Sequence, residues 1–354
     1  MLTQRHIGRT LASILGLGLL SCAAPDSPPA ADPPAAETDP PAAASIVATD
    51  TILCDLIQQL AAETIELTCL MEPGQDPHTY QPTPSARRDP ANRRILVLSR
   101  RLTNRTRFGG VITATVASSV AIAVYEEAVP EPILAEHHHH DHGDESHADD
   151  EAHDHDHAED EAHADSETGE LEPDPHVWHD VANVIAAIDI IATRLSQLNP
   201  DQAERYQQNA ATLTAELQRL DAWVLAQIET IPREQRVLVT THDAFNYYAA
   251  AYGLTNTALQ GISTDDAPSA ARIKELTETV ATTQVPMIFV EATANPKALE
   301  TVAREAGIQV AAEPLFTGSL GEAGSEQANY VQAIAYNTCT IVTALGGQCQ
   351  PFSD

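Results

Sequence analysis

The sequence predicts an α/β fold of two lobes, each with a mostly parallel sheet flanked by helices, joined by one long rigid backbone helix. Three observations carry that prediction. Short strand-like runs alternate with helical periods in both halves of the chain. One apolar period in steps of three and four runs unbroken from Tyr206 to Ile231. Apolar residues make up 43% of the 354 residues and aromatics only 4%, so the core rests on Ala, Leu, Ile and Val packed between helices and short strands. A chain of this length forms roughly one to three folding units.

In chain order, residues 1–22 (MLTQRHIGRTLASILGLGLLSC) put Arg5 and Arg9 ahead of an apolar run from Leu11 to Leu20. That is the pattern of a secretory signal, and the run is about half of the ~20 residues that a bilayer crossing needs. The Leu19-Leu20-Ser21-Cys22 ending resembles a bacterial lipoprotein cleavage box, in which Cys22 takes a lipid and becomes the first residue. Residues 23–44, rich in Pro and Ala and without apolar periodicity, read as an extended tether.

The first lobe is assigned to 45–198. SIVAT reads as a strand, Thr51 to Ala62 as a helix with Leu53, Leu56, Ile57 and Leu60 on one face, and IELTCL as a second strand. Within this lobe, 136–172 holds ten of the fifteen His and sixteen Asp and Glu, with no Lys or Arg. Such a stretch buries too little apolar surface to offset its ordering entropy, which predicts a disordered surface loop. A helix is expected from Val181 to Leu198, with Val184, Ile185, Ile188, Ile191 and Leu195 as its apolar stripe.

Asn199, Pro200 and Gln202 then offer a cap, a first helical position and a capping-box partner. The bridging helix is placed at 199–232, stopped by Pro232 and roughly 45 Å long at 1.5 Å per residue. The second lobe, 233–354, reads as the strand VLVTT, a strand at 258–262, a helix from Pro268 to Thr283, the strand MIFVEA, a helix near 296–306, a strand at 309–315 and a helix near 326–345.

The charge bears on the class of partner. A net charge of −32 argues against nucleic-acid binding, which needs Lys and Arg to release phosphate counterions. Strong acidity attracts cations, or serves solubility alone. Apart from Cys22, the cysteines form two local pairs, Cys54 with Cys69 and Cys339 with Cys349. An exported chain meets an oxidising compartment, so two disulfides are expected, although four Cys allow three connectivities.

Outside the acidic stretch and His6, the histidines are His78 in GQDPHTYQPTPS, His176 and His179 in DPHVWHD, and His242 in THDAFNYY. His78, His176 and His242 each adjoin a predicted element end, where open α/β sheets place ligand sites. Three neutral imidazoles with one position left for water or carboxylate suit zinc and other late first-row ions. Sequence separation alone does not show that they converge, and each could instead satisfy a local hydrogen bond.

MEPGQDPHTYQPTPS, DPHVWHD, THDAFNYYAAAYGL, MIFVEATANPKALETVAREAG and EPLFTGSLGEAGSEQANYVQAIAYNTCTIVTALGG together resemble the zinc- and manganese-binding solute receptors of ABC transporters, over most of 45–346. The resemblance implies two lobes with a metal between them, little domain closure, and ligand roles for His78, His176 and His242. His179 is then a residue behind the site or on the surface. It further implies an exported, lipid-anchored, monomeric receptor with a permease and an ATPase as partners and no activity as an enzyme.

The chain departs from the family pattern at two places. Where members often place a carboxylate ligand, this chain has Thr317-Gly318-Ser319-Leu320-Gly321, and Gly318 has no donor. With His242 where manganese receptors often carry Glu, this favours Zn2+ as the transported ligand. Eight of nineteen basic residues crowd between Arg87 and Arg107, where the family shows an acidic, Gly-containing stretch. A replacement particular to this lineage or a local frame disturbance accounts for it.

The ten histidines His137, His138, His139, His140, His142, His147, His153, His155, His157 and His163 alternate with carboxylates and predict weak, overlapping zinc sites. Competing readings are a manganese or iron receptor of the same family, a metal-storage or adhesin lipoprotein, and a zinc hydrolase. Against the hydrolase stands the absence of an H-E-x-x-H helix, and no P-loop is present to hydrolyse ATP.

Overall fold

The computed structural model describes residues 44–81, 95–99, 120–137 and 170–353 apart from 266 and 284. The predicted signal with Cys22, the tether up to residue 43, the histidine-rich residues 138–169 and most of the basic stretch lie outside the described residues, and Ala44, given to the tether, begins the first strand instead.

The βαβ opening forms as predicted: β1 (Ala44–Ala48), α1 (Thr51–Ala61) and β2 (Ile65–Cys69). Asp50 starts α1 because its carboxylate accepts from the Leu53 N–H at 2.9 Å, one of the donors that a helix start leaves orphaned. Leu53, Leu56, Ile57 and Leu60 are buried on the face read from the sequence, each worth about 1.5–3 kcal/mol of apolar transfer.

A strand not expected from the sequence, β3 (Ile95–Ser99), lies inside the basic stretch. It pairs in parallel with β1 on one side and β4 (Val120–Ala123) on the other, giving the order β2-β1-β3-β4. Its sequence, ILVLS, lacks the alternation that marks a half-exposed strand; parallel strands read as continuous apolar runs instead. The short helix α2 (Val124–Ala128) follows β4.

The ends of the predicted 136–172 loop are ordered. β5 (Leu134–His137) and β6 (Glu170–Pro173) form an antiparallel ladder from Leu134↔Pro173 to His137↔Glu170, so the chain leaves β5 and enters β6 at adjacent positions. The helix α3 (Val181–Leu198) has the predicted bounds, with Asp180 as its cap. Val184, Ile188, Ile191 and Leu195 are fully buried and Ile185 half-buried.

The bridging helix differs from its prediction at both ends. Asn199 makes no side-chain cap; its N–H closes α3 on the Leu195 carbonyl, and Pro200–Gln202 form a tight turn before α4 (Ala203–Ile228) begins. At its far end Thr230 and Ile231 bond three residues back, so the helical period continues to Ile231 in tighter turns. The α-helix is 26 residues, about 39 Å at 1.5 Å per residue. It packs on α1 and α3 of the first lobe and, with its other end, on α5 (Asn246–Tyr252) and α8 (Tyr330–Ala344) of the second. Hydrogen bonds fasten both ends: Asn209 Nδ2 to the Leu60 carbonyl at 2.8 Å, and Gln350 N to Gln227 Oε1 at 2.8 Å.

In the second lobe β7 (Val237–His242) pairs in parallel with β8 (Thr255–Gln260), which begins three residues before the predicted strand because Val237 faces Thr255. After α6 (Ala270–Thr282), the strands β9 (Met287–Ile288) and β10 (Gln309–Val310) pair in parallel around α7 (Lys297–Ala306). Both are shorter than predicted. Parallel bridges Thr240↔Phe289 and Glu291↔Leu315 extend the pairing beyond them. Disulfides join Cys54 to Cys69 and Cys339 to Cys349, one of the three connectivities left open.

Candidate metal centre

Two Asp-Pro-His tripeptides fold alike. In Asp76-Pro77-His78 and in Asp174-Pro175-His176, the Asp Oδ1 accepts from the N–H of the His two residues on, at 2.9 Å in both. This is the local turn that an Asp side chain offers, and the intervening Pro restricts the backbone that carries it. In the second turn Oδ1 also accepts from His176 Nδ1 at 2.7 Å.

The third imidazole is held differently. His242 ends β7, where Glu291 Oε1 accepts from its backbone N–H at 2.9 Å and Oε2 accepts from its Nδ1. Glu291 follows β9 and is fixed by its bridge to Leu315. His176 and His242 are 0% and 1% exposed, and Asp174 and Glu291 are each 1% exposed, so both pairs are shielded from water. A carboxylate can only accept, so each Nδ1 carries a proton, and in the neutral ring each Nε2 then presents a lone pair.

The three Nε2 atoms meet. His176 Nε2 lies 3.2 Å from His78 Nε2 and 3.2 Å from His242 Nε2, and the ligand atoms of all three residues lie within 4.8 Å of one another. A tetrahedral zinc with bonds of 2.0–2.1 Å has ligand edges of about 3.3–3.4 Å, so the spacing can hold such an ion. His78 is half-buried, which leaves the centre more open on that side.

Charges around the rings are unequal. Burial by itself would lower the His242 pKa, but the charge and hydrogen bond of Glu291, with Asp76 and Asp243 beyond it, hold it above the usual imidazole value. Burial and the Asp174 charge push the Asp243 carboxyl up, and a hydrogen bond from Asn246 opposes them.

The segment 317–320 is fastened to the first lobe beside the His78 turn. Trp178 Nε1 donates to the Thr317 carbonyl at 2.7 Å, the Gly74 N–H to Ser319 Oγ at 2.9 Å, and the Leu320 N–H to Thr51 Oγ1 at 2.9 Å. A Cβ at Gly318 would stand 2.6 Å from Pro77 Cγ, the residue before His78. Position 318 therefore abuts the His78 loop, has no donor, and accepts none without a shift of Pro77.

His179 is not at the surface. It is 1% exposed, its ring 4.5 Å from that of Phe245 and 5.8 Å from that of Trp178. Of the ten histidines in the acidic stretch, His137 lies in β5 and the other nine lie outside the described residues. Asp174 and Glu291 are not among the site residues expected from the sequence. Asp174 had a legible signal in the repeated Asp-Pro-His, whereas nothing local marks Glu291.

Residues 46–344 match the family model described as zinc-uptake complex component A, periplasmic (ZnuA). The zinc-binding protein TroA of Treponema pallidum is 30% identical over 305 residues, covering 85% of this chain and 88% of TroA. The manganese-binding lipoprotein MntA of Halalkalibacterium halodurans is 27% identical over 300 residues, covering 85% and 88%. The solved structure of periplasmic zinc-binding TroA from Treponema pallidum aligns with a TM-score of 0.70 at 29% identity, over 85% of this chain and 99% of that one. At 21% identity, Fe(III)-bound YtgA from Chlamydia trachomatis shares the fold with a TM-score of 0.68. The chain belongs to the ZnuA family: it is a metal-binding substrate-binding protein of an ABC transporter, with the two-lobed fold of TroA, and not an enzyme.

Proposed function

We propose that the chain is a zinc receptor that holds one Zn2+ through His78, His176 and His242, leaves the fourth position to water, and passes the ion to a permease powered by a separate ATPase. The observation that carries this reading is the convergence of three Nε2 atoms, two of them on rings whose Nδ1 is engaged by a buried carboxylate. A donor set of imidazole nitrogens with no carboxylate at Gly318 favours zinc, since manganese prefers oxygen donors. The manganese-binding names of several relatives support the other member of the pair, a manganese receptor.

Metal analysis and calorimetry on untagged protein, beside His78→Ala, His176→Ala and His242→Ala, test the assignment. One tight zinc in the parent and none in the three variants is the expected result; a tight zinc retained by all three removes the site. Competition between Zn2+ and Mn2+ in the same titration decides the metal, and tighter manganese overturns the choice.

The reading extends to the segments at the chain's start and middle. Cys22 anchors the exported protein through a lipid, 23–44 spaces it from the membrane, and the ten histidines of 136–172 gather zinc weakly beside the main site. Deleting 138–169 is expected to remove the weak equivalents and leave one tight ion. Loss of the tight ion on deletion sinks that division.

A further inference from the structure

Both Asp-Pro-His turns spend one carboxylate oxygen locally and the other on the opposite lobe. Asp76 Oδ1 holds the His78 N–H, while its Oδ2 accepts from Thr264 Oγ1 at 2.5 Å, in the segment after β8. Asp174 Oδ1 holds His176, while its Oδ2 accepts from Asn246 Nδ2 at 3.1 Å, at the start of α5. Thr264 and Asn246 are separated from their partners by 188 and 72 positions, so each contact exists only when the two lobes are docked.

Asn246 has its own constraint. Its amide nitrogen also donates to Asp243 Oδ2 at 2.8 Å, and its Oδ1 accepts from Asn256 Nδ2 at 3.1 Å. Both protons of the NH2 group are thereby committed to two carboxylates, and a flipped amide would set oxygen against them. The amide is a spacer of fixed orientation between Asp243, beside ligand His242, and Asp174, which steers ligand His176.

We infer that Thr264 and Asn246 are positioning residues by which the second lobe sets the two first-lobe imidazoles: each acts through the Asp of an Asp-Pro-His turn, and neither touches the ion. The inference rests on the three-histidine reading of the centre. Outer partners of metal-bound histidines characteristically change affinity by about 10–100-fold, and a residue acting through another has no further effect once that one is gone.

The test is zinc affinity of the full chain by chelator competition, with the visible spectrum of the Co2+-loaded protein as a report on ligand geometry. Thr264→Val and Asn246→Ala are each expected to weaken zinc about tenfold and to change the Co2+ spectrum. Thr264→Ser, which keeps the hydroxyl, is expected to restore both. In an Asp174→Ala background Asn246→Ala is expected to cost less than about twofold more, and likewise Thr264→Val in Asp76→Ala.

Parent-like affinity and spectrum in Thr264→Val and Asn246→Ala, with binding lost in His78→Ala and His176→Ala, overturns this inference alone. So do losses that multiply in the Asp backgrounds. A tight site surviving in the histidine variants instead overturns the centre, and the inference with it. If Asn246→Ala does not fold, the Val and Ser variants of Thr264 decide.

Discussion

His176 and His242 are both buried, and both set a carboxylate on Nδ1, yet their carboxylates come from different levels of structure. Asp174 is two residues from His176 and reaches it within one turn. Glu291 is 49 positions from His242 and reaches it only because the strands of the second lobe pair. Glu291 gives both oxygens to His242, whereas Asp174 shares itself between His176 and Asn246. One ring is thus held from within its own turn, on a carboxylate that also meets Asn246 of the other lobe, and the other by a contact that strand pairing makes.

The largest effect expected is from removing a ring. His242→Ala or His176→Ala should weaken zinc by more than the ~100-fold that bounds the effect of outer partners, measured by calorimetry. Next is Glu291→Gln, which deprives His242 of its charged partner; a loss toward the upper part of the ~10–100-fold range is expected in the same titration. Asp174→Asn should cost less, about tenfold, because the amide oxygen can still accept from His176 while only the contact to Asn246 turns unfavourable. Equal losses at Glu291 and Asp174 would erase the distinction between the two rings.

A pH series sharpens the same comparison with a smaller effect. The folded-state pKa of His242 is raised above its ordinary value near 6.5, so its pairing with Glu291 stabilises the metal-free protein fully below ~6.5 and is lost as pH rises through the folded value. Zinc needs the neutral ring, so affinity falls as pH drops, beginning above 6.5. Thermal melts should therefore show this contribution in metal-free protein to be larger at pH 6 than at pH 8.5, and the stabilisation by added zinc to grow over the same interval. In Glu291→Gln the metal-free trend should flatten; an unchanged trend assigns it to another group.

The elements most legible in the sequence were those whose burial follows a local period. α1 and α3 fell where Leu53, Leu56, Ile57 and Leu60, and Val184, Ile188, Ile191 and Leu195, had placed them, because one apolar stripe must face the core. Capping was less legible. Asn199 offers the right side chain for an N-cap, yet its backbone closes α3 instead, since two helices in succession compete for one residue. β3 was hidden by the arginines around ILVLS, and β8 was shifted because register belongs to the pair of strands and not to either alone.

By itself the sequence determined the two Asp-Pro-His turns, the histidines that could serve as ligands, the empty position at Gly318 and the long period of α4. Each depends on interactions within a few residues, or on which side chains are present. Only the tertiary structure decided that imidazoles 98 and 66 positions apart meet at 3.2 Å, that Glu291 stands behind one of them, and that Thr264 and Asn246 reach across to the carboxylates of the turns that carry the other two. Those contacts depend on closing long loops and on docking two lobes against one helix, and no local pattern records where such loops close.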